Sequence, residues 1–329
     1  QYLYVDEWDL NRYTIDGEYR QVMVSPRELA LQNLPLRSQT FINERFKYTH
    51  GHGLTMVPVN EFTSGGLPRM LIKDLPPVSE SEDLRVEQPG IYYGEMSSEF
   101  AVVNTEEGEF DYPKGESNVY AHYAGKGGVQ LSSTWRKFVF GWKYGGTKFF
   151  LSGYPPRESR IQFHRDIRDR ARTLAPFLQF DHDPYIVLNE GRLYWILDAY
   201  TTSAHYPYSE SFTDDVTAGF GRSTLRDDGV AYLEGKNYIR NSVKVVIDAY
   251  EGSVDFYVFE PEDPLIRAWQ RIFPGMFQPR DAMPDSLEAH VRYPEGFLLA
   301  QGLVFARYHM TDPEVFYNQE DLWVRATEK

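Results

Sequence analysis

None of the 329 residues is a cysteine, so disulfides, thiol nucleophiles and cysteine-based zinc sites are excluded outright. No run approaches the roughly 18 apolar residues of a membrane-spanning helix, and no secretory leader is recognisable. Positive charge is scarce. The 34 Lys and Arg against 48 Asp and Glu leave a net charge of −14, which argues against a nucleic-acid partner. The same deficit disfavours broad adhesion to anionic lipid, although a local basic patch could still act. Catalytic signatures are missing as well: there is no G-x-S-x-G, no phosphate-binding loop and no G-x-G-x-x-G. The glycine-rich Gly125-Lys-Gly-Gly128 lacks the strand-to-helix setting a phosphate site needs and reads as loop.

Aromatic residues, by contrast, are abundant. With 24 Tyr and 21 Phe the chain leans toward sheet, because flat rings suit a half-buried pleated surface. The segment from Asn237 to Phe273 organises the rest. Val243, Val245 and Ile247 alternate on one strand face, Gly252 supplies a turn, and Val254, Phe256 and Val258 alternate on the return. Pro261 and Pro264 stop the ladder, and Asp263-Pro264 forms a helix N-cap and N1. Leu265, Trp269, Ile272 and Phe273 then give one apolar helical face.

The same grammar extends along the chain. Asp16-Gly17 between alternating runs predicts a type I′ hairpin. Residues 25–29 and Ser38–Phe46 suggest short helices, Thr49-His-Gly-His-Gly53 a flexible polar turn, and Leu54–Val59 a strand. Residues 91–93 and 100–104 read as strands, 114–128 as loop. Phe138–Trp142 with Lys148–Leu151 suits either a strand pair or a helix joined to a turn. Glu158–Leu174 predicts a helix with Ile161, Ile167, Ala171 and Leu174 inward. Tyr185–Leu188 and Arg192–Tyr200 predict a hairpin, residues 201–229 a polar loop, Pro294–His309 a helix and residues 321–325 an extended end. The fold class expected is α+β, built of antiparallel hairpin-rich sheets with a few packing helices. Residues 1–329 are expected to be one soluble region excised from a longer protein, with a possible sub-boundary in the proline-rich, acidic stretch near 74–90.

Few residues suggest chemistry. His50 and His52 flank Gly51 at a spacing seen in metal sites, with Asp181, His182 and Asp183 as further candidate ligands and His205 as another neighbour. Against this, loop histidines more often make hydrogen bonds or face water. Asp198 and Asp248 recur in similar I-L-D-A-Y and V-I-D-A-Y contexts and could form an acid/base pair, which with His50 would serve a hydrolase-like or metal-dependent enzyme, though turn-closing aspartates explain the pattern more simply. Asn60, Thr201, Thr202, Asn241 and Lys244 are candidate ligand-binding positions. The six arginines between Arg157 and Arg172 could meet an anionic ligand or lipid headgroups; Arg165 with Asp169 and Asp166 with Arg170 instead fit a solvated, ion-paired helix. Tyr206 and Tyr208 could stack a sugar, but core packing accounts for most aromatics first. No cofactor is implied.

Several segments together are distinctive. They include Arg12-Tyr-Thr-Ile-Asp-Gly17, Tyr48 to Glu61, Gly66-Leu-Pro, Lys73 to Pro77 and Leu197 to Ser203. Tyr206 to Ser209, Asn237 to Lys244, Asp248 to Gly252, Ala268-Trp269, Arg292-Tyr-Pro294 and Ala306 to His309 complete the set. In this order they resemble uncharacterised protein family 0182, a group of large polytopic bacterial membrane proteins. The resemblance implies membrane spans elsewhere in the full protein, a location in the bacterial cell membrane, and a soluble region expected outside the cytoplasm. The membrane-spanning part of the same chain is the partner it implies, alongside an unidentified ligand or protein; the alternative reading is a structural scaffold for that membrane part. It implies no activity. At the position of His52 the family usually has an aromatic, which weakens a two-histidine metal site.

Overall fold

Asp16 and Gly17 both take positive φ, 51° and 81°, and close the first hairpin between strands Asp9–Ile15 and Glu18–Pro26. That combination is the type I′ turn, whose twist matches the strands it joins. The computed structural model describes residues 3–5, 7–115, 117–151, 155–213 and 230–323. The second strand continues through Pro26, and Glu28–Leu29 pairs with Leu3–Tyr4, so residues 25–29 are extended and not the expected short helix. Leu54–Pro58, Ile72–Lys73 and Val78–Ser79 complete a five-stranded antiparallel sheet.

The Asn237–Phe273 segment forms as its pattern requires. Tyr238–Asp248 pairs with Val254–Val258 in register Val245 to Phe256, and with the long strand Arg192–Ser203 on its other side. Gln179–Phe180 and Tyr185–Asn189 both pair with that long strand, and Phe277–Pro279 adds a parallel edge, giving six strands. Asp263 caps the Pro264–Ile272 helix by accepting from the amides of Leu265 and Ile266. Its inward residues are Ile266 and Trp269, whereas Ile272 and Phe273 are exposed, so the apolar face is rotated from the one expected.

One core joins the two large sheets. Tyr13, Val22, Val24, Leu54 and Met56 from the first pack with Trp195, Leu197, Val243, Val245 and Ile247 from the second. The polar ends of the first hairpin also seal onto the second sheet. The amide of Leu188 donates to the Tyr13 hydroxyl at 2.9 Å, and that of Ile186 to Asp9 at 3.1 Å. The second sheet is covered on its far side too, where Ile196, Val246 and Tyr257 meet Met283 and Leu287. Its central strands therefore read as continuous apolar runs and not as simple alternation. Residues 72–84 run along the edge of the first sheet, and Leu84 is fully buried in the shared core.

A smaller cluster of Phe46, Phe100, Val102, Leu131, Phe150 and Ile161 lies under the helices Thr134–Lys143 and Thr147–Leu151. Of the two readings of this stretch, helix joined to turn is the correct one. Phe41–Lys47 is a helical turn, partly π-type. Three expectations fail nearby. Residues 114–128 are not all loop, because Ser117–Ala121 returns along Glu109–Lys114 as a hairpin. Arg160–Phe163 is a strand paired with Phe100–Val103, so only Ile167–Leu174 of the expected 158–174 helix is helical, and Leu174 is exposed. Thr49–Gly53 is buried and includes the strand Gly51–His52 paired with Gly90–Ile91. The last expected strand, 321–325, has no strand in its described part, and residues 324–325 lie outside the described residues, as do 214–229 of the expected loop. The fold is α+β, with antiparallel pairing dominant.

Candidate functional site

His50 and His52 sit at 2% exposure because carboxylates some 60 residues downstream meet them in the interior. His50 Nε2 lies 3.3 Å from Asp111, His52 Nδ1 bonds the same carboxylate oxygen, and the His50 ring stacks on Tyr92 at 4.4 Å. Burial alone would push Asp111 upward, but the hydrogen bonds to both histidines hold it well below the usual carboxylate range. Glu109 is fully buried beside them and accepts from Tyr92, Thr49 and the amides of Asn104 and Tyr123. Gly51 permits this packing: a Cβ there would stand 2.4 Å from the carbonyl oxygen of Arg27. The histidine segment is thus an interior polar network and not a mobile loop.

The remaining candidates fall into separate settings. Asp198 lies mid-strand, opposite Lys244, and accepts from its ammonium and from Asn241 at 3.0 Å. Burial pushes its carboxyl up, with Lys244 opposing. Asp248 does close a turn, accepting from the amides of Tyr250 and Glu251 and pairing with Arg192 at 2.7 Å. The apparent echo is therefore not a repeat of one role, since one aspartate is a buried ladder ion pair and the other a turn cap. They stand four positions apart along one ladder, roughly 13 Å. Among the described residues His50, Asp198 and Asp248 share no hydrogen-bond partner.

Asp181 accepts from the Tyr200 hydroxyl, from the Asp183 amide and from His182 at 3.1 Å, and Asp183 pairs with Arg292 at 2.6 Å. Burial pulls Asp181 upward, but His182 and Tyr200 hold it down, and the Asp181 hydrogen bond raises His182 in turn. Among the described residues no bond joins this group to the histidine network. Among the described residues no set of three or more His, Asp or Glu is placed to hold a metal ion. Thr201 donates to Asp263 beneath the helix cap, Thr202 stands across from Ile239, and Asn60 is exposed in a turn. His205 is exposed; Tyr206 stacks on Tyr238 at 5.6 Å, and Tyr208 is fully exposed. The arginine-rich stretch is not a free basic face. Arg160, Arg165 and Arg170 all bond backbone carbonyls, Arg165 is buried outside the helix, and Arg168 pairs with Glu95 at 3.1 Å.

Two features escaped the sequence reading. The first is an acidic pocket of about 130 Å³ lined by Glu7, Asp9, Glu28, Glu95 and Arg168. Burial pushes Asp9 and Glu28 up to about 7 and Glu95 up to about 8. Its members lie far apart in sequence, and no pattern announces them.

The second is a groove of about 860 Å³ beside the Glu295–Tyr308 helix. Gly296, Ala300, Leu303 and Ala306 are its buried residues, and Ala300 and Leu303 pack with Phe212, Val230 and Leu233. Leu298, Val304, Phe305 and Tyr308 stay substantially exposed along the groove. Gln301 and Arg307 are the only polar residues after Glu295 until the closing tyrosine. A helix apolar on every side normally lies wholly inside a protein. That composition was the available signal. The helical spacing in the sequence rests on Phe297, Gln301, Val304, Phe305 and Tyr308, and all of these but Phe297 are exposed.

Comparison with known proteins agrees across the whole length. The model of an uncharacterised protein family (UPF0182) matches residues 1–329. A UPF0182 protein of Pelotomaculum thermopropionicum is 48% identical over 320 residues, covering 97% of this chain and 33% of that protein. One from Desulforamulus reducens is 47% identical over 322 residues, covering 98% and 32%, and one from Sulfurovum sp. is 48% identical over 320, covering 97% and 32%. The chain spans about a third of the length of the curated relatives it matches. No solved structure matches it. No helix among the described residues is long and apolar enough to cross a membrane. The chain belongs to the uncharacterised protein family UPF0182.

Proposed function

We propose that this chain is the extracytoplasmic binding region of a multi-pass bacterial membrane protein, and that its groove receives an elongated apolar ligand or partner segment. The groove carries the reading. Its volume lies within the range typical of small-molecule sites, roughly 300–1,000 Å³, and its walls are mainly apolar with a few polar groups. Phe305 and Leu298, 57% and 61% exposed, represent apolar area that an occupant would remove from water. Two-thirds of each matched relative lies outside the aligned region, and that remainder is the natural place for the membrane spans and for a partner within the same protein. The acidic surface disfavours nucleic acid, and the reading requires no cofactor. A hydrolase using His50, Asp198 and Asp248 has weaker support, because each is held by different partners.

A fluorescent acyl-chain probe, used below its critical micelle concentration, tests the groove. Saturable binding is expected, with affinity at least about tenfold weaker in Val304→Asp/Phe305→Asp, since each change sets a charge into an apolar wall. Absence of saturation, or equal affinity in the variant, defeats the proposal. Sidedness is read separately, by fusing alkaline phosphatase or a green fluorescent reporter after this region in the full-length protein. Only an active phosphatase fusion agrees with an extracytoplasmic location.

A further inference from the structure

The Thr134–Lys143 helix turns an aromatic face outward, on the side away from its own packing. Inward, Phe140 and Tyr144 pack against the small cluster, and Gly141 approaches so closely that an added Cβ would lie 2.8 Å from Thr147 Cα. Outward stand Trp135, Phe138, Val139 and Trp142, at i, i+3, i+4 and i+7, with exposures of 70%, 37%, 40% and 76%. The Trp135 and Phe138 rings are centred 5.7 Å apart, and those of Phe138 and Trp142 6.3 Å, so the side chains form one strip roughly 10 Å long. Leu151, ending the next helix, is exposed as well.

Charge sets this region apart from the rest of the chain. With 48 acidic residues in 329, one occurs on average in about every seven positions. Yet residues 117–157, 41 in succession, contain none, and they carry the cations Lys126, Arg136, Lys137, Lys143, Lys148 and Arg157. Arg136, Lys143 and Lys148 are exposed, and among the described residues none of them has a carboxylate within ion-pair distance. A chain of net charge −14 thus places an acid-free basic segment around its most exposed tryptophans.

We infer that this face seats the chain on an anionic lipid bilayer, with the tryptophans at headgroup depth and the flanking cations against lipid phosphates. Tryptophan suits a boundary that is apolar on one side and wet on the other. An aromatic strip edged by Lys and Arg is the composition of an interfacial helix. Charge complementarity selects the occupant. A second copy meeting this face isologously would bring cation onto cation, while the acidic remainder of the molecule is repelled by the same lipid and leaves this face as the point of approach. The inference stands apart from the groove, which involves other residues.

Co-sedimentation of the 329-residue chain with vesicles provides the test. Binding is expected to mixed phosphatidylcholine and phosphatidylglycerol vesicles, weaker by at least about tenfold to phosphatidylcholine alone, and lost near 1 M salt, where the screening length falls to about 3 Å. Trp135→Ser/Trp142→Ser is expected to bind at least about tenfold more weakly, and Lys143→Gln/Lys148→Gln about 25-fold, at about fivefold per cation. Both pairs are exposed, so unchanged circular dichroism should accompany either loss. The inference is overturned if the parent binds neither vesicle, if it binds both equally, or if both variants bind like the parent. A dimer that the tryptophan variant abolishes, with vesicles untouched by the parent, would overturn it in favour of self-association.

Discussion

Replacing Glu95 with glutamine should stabilise the protein at alkaline pH and do little at acid pH. Glu95 lines the acidic pocket with only 17% of its side chain exposed, 3.1 Å from Arg168. Burial raises its pKa from 4.5 to about 8, with Arg168 opposing and Glu28 adding to the rise. A carboxyl raised on folding makes the folded state bind more protons than the unfolded state between those two values. Stability therefore falls as pH climbs from about 4.5 to about 8, the reverse of an ordinary ion-paired carboxylate. At about 1.4 kcal/mol per pKa unit the full difference approaches 5 kcal/mol, and water entering the pocket reduces this to about 2–4 kcal/mol. The glutamine amide preserves the shape of the side chain without its charge. Urea unfolding at pH 5 and pH 9 should show Glu95→Gln within about 1 kcal/mol of the parent at the lower pH and about 2–4 kcal/mol more stable at the higher. If the variant is instead less stable at pH 9, the Arg168 ion pair outweighs desolvation, and the account of the pocket is wrong.

Lys244→Met should cost about 3–5 kcal/mol by stranding the buried Asp198 carboxylate, and Asp198→Asn/Lys244→Met should recover most of it; an equal loss in thermal unfolding of the double variant would refute the pairing argument. Gly51→Ala should lose about 1–3 kcal/mol because its Cβ would collide with the Arg27 carbonyl. Gly302→Ala, in a helix with open space around it, should be neutral or stabilising by up to about 1 kcal/mol, and the contrast between their melting temperatures checks both.

Local chemistry made much of the fold legible. Asp16-Gly17, the alternation around Val243 to Val258, and Asp263-Pro264 each specify their own conformation, and each forms as written. Where the decisive partner is distant, the reading failed. Ile161, Ile167, Ala171 and Leu174 satisfy a helical spacing, but pairing with Phe100–Val103 draws Arg160–Phe163 into a strand. Thr49-His-Gly-His looks polar and therefore mobile until Glu109 and Asp111 arrive to satisfy it. Asp198 looks like a turn residue because Lys244, its actual partner, faces it only across the sheet. The candidate sites were least legible for the same reason. The acidic pocket gathers residues from 7 to 168, and the groove shows in sequence only as a helix with too few polar positions.

The seam between the two sheets also sets a timetable for synthesis. Tyr13 bonds an amide 175 residues downstream, and Asp9 one 177 downstream. At 5–20 residues per second, the first hairpin leaves the ribosome roughly 9–35 seconds before its binding surface exists. During that interval Ile15, Val22 and Val24 can pack only beside residues of their own sheet such as Leu54, Met56 and Ile72, and the face meant for the second sheet stays open to water. Contacts of such long range are also slow to close once the chain is complete. The N-terminal hairpin is thus the part of this chain most dependent on chaperone protection, and changes there should reduce yield sooner than they alter the finished structure.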